Sequence, residues 1–110
     1  MNSGAVAYAL EAAASLLPAL NPVERADAER LLLLCGEYWA ESPPPEKSIP
    51  DRGTLTRELG RLVELLARRS ATAMPLAALG RALLSELHGA ISERDRLLSE
   101  FQTKLAQLGL

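Results

Sequence analysis

Leucine and alanine recur at helical spacing along most of the chain, and this pattern predicts an all-α fold. Leu occurs 23 times and Ala 18 times in the 110 residues, whereas Val, Ile and Thr together occur only 9 times. Unbranched Leu and Ala favour helices, and β-branched residues favour strands. We therefore predict a bundle of four helices in a single domain, residues 1–110, with a coiled-coil-like seam on a long C-terminal helix.

The first two predicted helices have clear stop and start signals. Pro18 should end the first helix, because the residue before a proline avoids the helical region. Asn21 can cap the second helix, with Pro22 at its first position and Glu24 three residues after the cap. This second helix should extend to about Glu41, which makes residues 1–41 an N-terminal helix pair.

A proline-rich connector is predicted next, over residues 42–53, with the sequence SPPPEKSIPDRG. Three consecutive prolines, Pro43–Pro45, favour an extended segment of polyproline type. After it, residues 54–110 are predicted to form a helical hairpin. Its first helix, 54–70, carries one apolar stripe, made of Leu55, Leu59, Leu62, Val63 and Leu66.

The last segment carries an apolar seam with alternating spacings of three and four residues. Its positions are Leu84, Leu87, Ile91, Arg94, Leu98, Phe101, Leu105 and Leu108. Because the phase is kept across Gly89, one helix from Pro75 to Leu108 is predicted. In the alternative, the helix breaks at Gly89, and Ser92 caps another helix.

Such a long seam needs a covering surface. Either the first three helices cover it within one chain, or a second copy or another protein covers part of it. We expect a homodimer or a protein complex, with Arg94 as a polar residue that sets register or partner choice. Tyr38 and Trp39, at the end of the second helix, are expected to plug the core there or to anchor an interface, where both residue types are enriched.

The sequence contains no recognisable catalytic, cofactor or metal motif. Cys35 is the only cysteine and lies within an apolar run, so we expect a small buried side chain. His88 is the only histidine, and we expect an ordinary surface residue. The chain is predicted not to be an enzyme and to bind no cofactor or metal.

Charge disfavours a nucleic-acid partner, since the formal net charge is −2. The alternative is a helix-turn-helix, LVELLARRSATAMPLAALGRALLSEL, which is also similar to small winged RNA-binding domains built on PLxxLG. Arg68 and Arg69 would then contact phosphate, and the reading helix would expose Ala77, Ala78, Arg81 and Ser85.

The apolar N-terminus is not expected to be a secretory signal, because it lacks a basic segment and Glu11 interrupts it. No segment has the length of apolar sequence that spans a membrane. We therefore expect a cytoplasmic protein with no membrane association.

In size and layout, with short helices followed by the predicted helix from Pro75 to Leu108, the chain resembles the small helical antiactivators of LuxR-type quorum-sensing receptors. That resemblance implies a non-enzymatic module that inhibits or sequesters a transcriptional regulator. Small secretion chaperones fit the same general description. The function predicted from sequence is thus regulatory protein binding, with nucleic-acid binding and secretion chaperoning as alternatives.

Overall fold

A computed structural model describes residues 3–39, 52–68 and 71–108. These ranges contain five α-helices and no strand, which confirms the all-α prediction and corrects the predicted number of helices. The helices are α1 (Ser3–Ala14), α2 (Pro22–Tyr38), α3 (Arg52–Ala67), α4 (Met74–Leu87) and α5 (Ile91–Gln107), with a short 3-10 helix (Leu17–Ala19) after α1. The proline segment Pro43–Pro45 lies outside the described residues, whereas Arg52 and Gly53, predicted as connector, belong to α3.

The start of α2 is held by the predicted capping box. The backbone N–H of Glu24 donates to the side-chain Oδ1 of Asn21 at 2.9 Å, and the N–H of Asn21 donates back to the Glu24 carboxylate at 3.4 Å. Arg25 adds a contact that the sequence pattern did not reveal. Its guanidinium donates to the backbone carbonyls of Leu17 and Leu20, both at 3.0 Å, and so ties α2 to the turn before it. These bonds satisfy backbone groups that a helix end leaves unpaired.

Helix α4 is the centre of the fold, because it contacts each of the other four α-helices. Most of its side chains are buried, and the predicted stripe of α3 is buried against the same core. Gly80 allows α4 to lie close to α2 and α3. A Cβ atom at this position would lie 2.6 Å from Cγ2 of Val63 in α3 and 2.9 Å from Cδ1 of Leu31 in α2. The helices therefore pack more closely here than any larger residue would permit without a shift.

The predicted single helix from Pro75 to Leu108 is wrong, because a turn at Gly89 separates α4 from α5. Gly89 has φ +79°, the left-handed conformation that glycine adopts without steric cost. The N–H of Ala90 donates to the carbonyl of Ser85 at 2.8 Å, and the N–H of Gly89 donates to the carbonyl of Glu86 at 2.9 Å. This is a Schellman turn, which satisfies the last carbonyls of α4 and reverses the chain.

After the turn, α5 packs antiparallel along α4, and this is the most extensive helix contact in the described structure. The buried side chains of α5 are Leu97, Leu98, Phe101 and Leu105. Phe101 is fully buried and belongs to the main core. The apolar face of α5 is therefore covered mainly by its own chain.

Candidate protein-binding site

A network of polar side chains holds the α4–α5 turn against the end of α2. The carboxylate Oε1 of Glu86 accepts hydrogen bonds from Nε1 of Trp39 and from Nη1 of Arg94, both at 2.8 Å. Arg94 also donates to Asp95, at 2.8 and 3.1 Å. The Glu86 and Arg94 side chains are only 17% and 15% exposed. This Trp39–Glu86–Arg94 cluster joins three helices through one carboxylate, and hydrogen bonding to Glu86 raises the pKa of Arg94.

A groove of about 330 Å³ opens beside this turn, between the last turns of α4 and the start of α5. Half-buried Leu84 and buried Leu97 supply apolar surface to it. The charged and polar side chains that line it are those of Arg81, Ser85, His88, Glu93 and Arg96. We call it the α4–α5 groove. It combines apolar surface with charged groups at the edge, as protein-binding sites commonly do.

The α4–α5 groove contains both a paired and an unpaired arginine. Arg96 forms an ion pair with Glu93, which lowers the pKa of that carboxylate. Arg81 is exposed and forms no ion pair within residues 3–39, 52–68 and 71–108. The groove therefore has one uncompensated positive charge beside its leucines, although the net charge of the chain is negative.

His88, at the mouth of the same groove, is oriented by its own helix. Its Nδ1 lies 2.8 Å from the backbone carbonyl oxygen of Leu84. Because a carbonyl oxygen only accepts, Nδ1 must carry the proton and donate it. No hydrogen bond to the other ring nitrogen, Nε2, is formed by the described residues, so it can bond to a ligand.

Most of the predicted seam is internal to the chain rather than available to a partner. Leu87, Leu98, Phe101 and Leu105 are buried, Leu84 and Leu108 are half-buried against the core, and Ile91 is 46% exposed. Arg94 is not an isolated polar residue in an apolar seam, because it pairs with Glu86 across the turn. The seam residue that borders the α4–α5 groove is Leu84.

The other residues singled out in the sequence have structural surroundings. Tyr38 and Trp39 are half-buried and pack against the core at the end of α2, and Trp39 also bonds Glu86. Cys35 is fully buried, and burial raises the pKa of its thiol to about 12. A thiol in that environment is not a nucleophile at neutral pH.

The helix-turn-helix alternative requires one face of α4 to be exposed, and the structure buries part of that face. Ala77 and Ala78, expected on the exposed face of a reading helix, are 1% and 0% exposed. Of the four residues expected to read bases, Arg81 is exposed and Ser85 is half-buried. The face of α4 that the helix-turn-helix alternative needs to be exposed is therefore partly buried in this fold.

Within the described part of the chain, no three His, Cys, Asp or Glu side chains are grouped as a metal site would require. Nor do the helices in those ranges include one with the length and apolarity of a membrane span. No protein-family model, curated protein or solved structure matches this chain.

Proposed function

We propose that this chain is a non-enzymatic regulatory module that binds a segment of a partner protein in the α4–α5 groove. The observation that carries the proposal is the placement of the unpaired Arg81 beside the exposed part of Leu84 in an open groove of about 330 Å³. That volume is at the lower end of the range for ligand sites. It suits one or two apolar side chains of a peptide rather than a large cofactor.

The charge of the groove indicates the chemistry of the segment. A carboxylate on the partner would pair with Arg81, since guanidinium–carboxylate pairs are strong and directional. An apolar side chain next to that carboxylate would cover Leu84. The preferred partner segment thus carries an acidic residue beside a large apolar residue, as one face of an amphipathic helix can.

A second groove, between α1 and α5, supports such a role less well. It measures about 340 Å³ and is lined by Tyr8, Glu11, Ala12, Ser15 and Leu105. Tyr8 is 57% exposed and could contact a partner. However, the charged residue in this lining is acidic, as is the chain as a whole, so it offers no comparable attraction for an acidic segment.

Sequestration of a transcriptional regulator, as in a quorum-sensing antiactivator, remains one form of this proposal. The resemblance in layout to those antiactivators required one long helix from Pro75 to Leu108. The turn at Gly89 divides that helix, so the layout no longer supports the resemblance. Support for partner binding now comes from the groove alone. A secretion chaperone would use the same kind of surface and would differ only in the identity of its partner.

A peptide-display selection against the native chain tests the proposal. We expect enriched peptides with Asp or Glu beside Leu, Ile or Phe, and their affinity should fall at least about tenfold with Arg81→Glu, since one charge-assisted pair is lost and replaced by repulsion. Arg57→Glu is the matched control, because Arg57 is an exposed arginine of α3 outside the groove lining. Equal loss in both variants, no enrichment, or tight salt-sensitive binding to DNA or RNA instead would overturn the proposal.

A further inference from the structure

The apolar phase of α4 continues into α5, although the two helices are separate. The spacings from Leu84 to Leu108 alternate between three and four without interruption across residues 88–90. A hairpin does not require this, because a turn lets each helix orient its apolar face independently of the other. One continuous helix does require it. The sequence therefore suits two conformations of the same segment, and the described fold uses one of them.

Helix α5 is joined to the rest of the fold mainly through α4. Its contacts with α4 exceed those with any other helix, and α1 makes only a small contribution. Its apolar side chains, such as Leu97 and Phe101, are buried, and exposing them to water costs free energy. A helix α5 that leaves its place must therefore bury these side chains elsewhere. If α5 leaves its own α4, the surface that matches it best is the α4 of an identical chain.

The turn between the helices has the features of a hinge. It comprises the exposed residues His88, Gly89 and Ala90. Among the described residues, Gly89 alone has a positive φ, and a Cβ at this position would meet no atom within 4 Å. A continuous helix would require Gly89 to leave φ +79° and Ala90 to leave ψ 76°, so that both adopt the right-handed helical region.

We propose that two copies of this chain exchange α5, so that residues 74–107 of each copy form one helix and each α5 packs on the partner's α4. The surface of α4 that is uncovered when α5 leaves is then covered by the α5 of the second copy. The contacts between α4 and α5, including the ion pair of Arg94 with Glu86, re-form between the two chains. Such exchange is a low-cost route to a dimer, because it reuses contacts that the monomer already has.

Gly89→Ala is the decisive substitution. Alanine disfavours the left-handed turn and favours a continuous helix, and the effect counts twice in a dimer. We expect the monomer–dimer association constant, measured by light scattering, to rise on the order of 1000-fold. Gly60→Ala is the matched control, since Gly60 is a helical glycine with no atom within 4 Å of an added Cβ. That control should leave the association constant unchanged.

Spin labels at Met74→Cys and Gln107→Cys distinguish exchange from other dimers. In the hairpin these two positions line one pocket of about 200 Å³, so the labels are close. In a continuous helix they are about 50 Å apart at 1.5 Å per residue. With labelled Gly89→Ala protein diluted into excess unlabelled protein, we expect the long distance within one chain. A monomer, or a dimer that keeps the short distance within one chain, would overturn the proposal.

The native chain provides a second measurement that does not depend on the folding of Gly89→Ala. At millimolar concentration it should show a dimer with the long distance. Insertion of Gly-Ser-Gly after Gly89 should abolish that dimer, because the longer turn relaxes the hairpin and breaks the continuous phase. A native chain that stays monomeric, or a dimer that persists equally after the insertion, would contradict exchange of α5.

Discussion

Trp39 and Glu86 lie 47 positions apart in the sequence and are joined by a hydrogen bond of 2.8 Å from the indole Nε1 to the carboxylate Oε1. The same oxygen accepts the bond from Arg94. One side chain of α4 thus connects the end of α2 to the start of α5. The bond is partly shielded from water, since Trp39 is half-buried and the Glu86 side chain is 17% exposed.

Loss of this bond should destabilise the fold measurably. We expect Trp39→Phe to lower the free energy of unfolding by about 1–2 kcal/mol, as typical for a partly buried hydrogen bond to a charged group. Glu86→Ala should lower it further, because it also removes the ion pair with Arg94. A urea double-mutant cycle should give a coupling free energy of about 1 kcal/mol. Additive effects would show that the bond contributes no net stability. Tyr38→Phe is the control, since its hydroxyl makes no hydrogen bond to any described residue.

Gly80→Ala should destabilise the chain through overpacking. Its Cβ would lie 2.6 Å from Val63 Cγ2, and a β-branched side chain in a helix cannot easily rotate away. We expect a net loss of about 1–2 kcal/mol in thermal or urea unfolding, after the gain in helix propensity is included. Gly60→Ala has the same propensity gain without a clash and should stabilise by up to about 1 kcal/mol. Equal effects at the two glycines would contradict this account of the packing.

The contribution of Glu58 to the free energy of unfolding should depend on pH. Arg30 donates to both carboxylate oxygens, at 2.8 and 3.0 Å, and this hydrogen bonding lowers the pKa of Glu58. Since the folded-state pKa is below the unfolded value of about 4.3, the stabilisation is present at neutral pH and is lost as the pH falls through the folded-state pKa. The pair is partly exposed, so Glu58→Gln should cost less than about 1 kcal/mol at pH 7.

The measurement for this pair is the free energy of unfolding of both proteins between pH 7 and pH 3. The difference between them should shrink as the pH falls below about 4.3. Glu64→Gln is the control on the same helix, because Glu64 is exposed and forms no ion pair in the described structure. A difference that grows at low pH would contradict the assignment.

Cys35 should react with thiol reagents only when the chain opens. Burial raises the pKa of its thiol to about 12 and also blocks access. At pH 8 we expect modification at least about 1000-fold slower than in denaturant, since a stable fold opens rarely. A Ser99→Cys variant supplies an exposed thiol in the same molecule, and its reaction should show one fast and one slow phase. Rapid modification of Cys35 in the native chain would disprove its burial.

The sequence was sufficient wherever a structure depends on neighbouring residues alone. The capping box of Asn21 and Glu24 is local, and it is present. The stripe of α3 follows from one helical period, and all five of its residues are buried. The all-α class likewise follows from composition summed over the chain.

The sequence reading failed where tertiary contacts decide between two locally acceptable conformations. A continuous phase across Gly89 is compatible with one helix and with a hairpin. Within a single chain, the hairpin is the conformation that packs α5 on α4 and buries Phe101. The ion pair between Glu86 and Arg94 of one chain likewise forms only in the hairpin, so it could not be predicted from a single continuous helix. Glu86 and Arg94 are eight positions apart, too far to pair along one helix and close enough across a turn. The two residues in the sequence that indicate the hairpin are Gly89, which ends α4, and Arg94, a polar residue within the apolar seam.

The central position of α4 also has a consequence for synthesis on the ribosome. Helices α1 and α2 emerge first, yet Leu31 of α2 packs at Gly80 of α4 and so is fully buried only when α4 is in place. Roughly 50 residues separate the end of α2 from the end of α4, and their synthesis takes about 2.5 to 10 s at 5–20 residues per second. During that interval the nascent helix pair exposes apolar surface, so it is then that a chaperone or a second nascent copy has the best access to it.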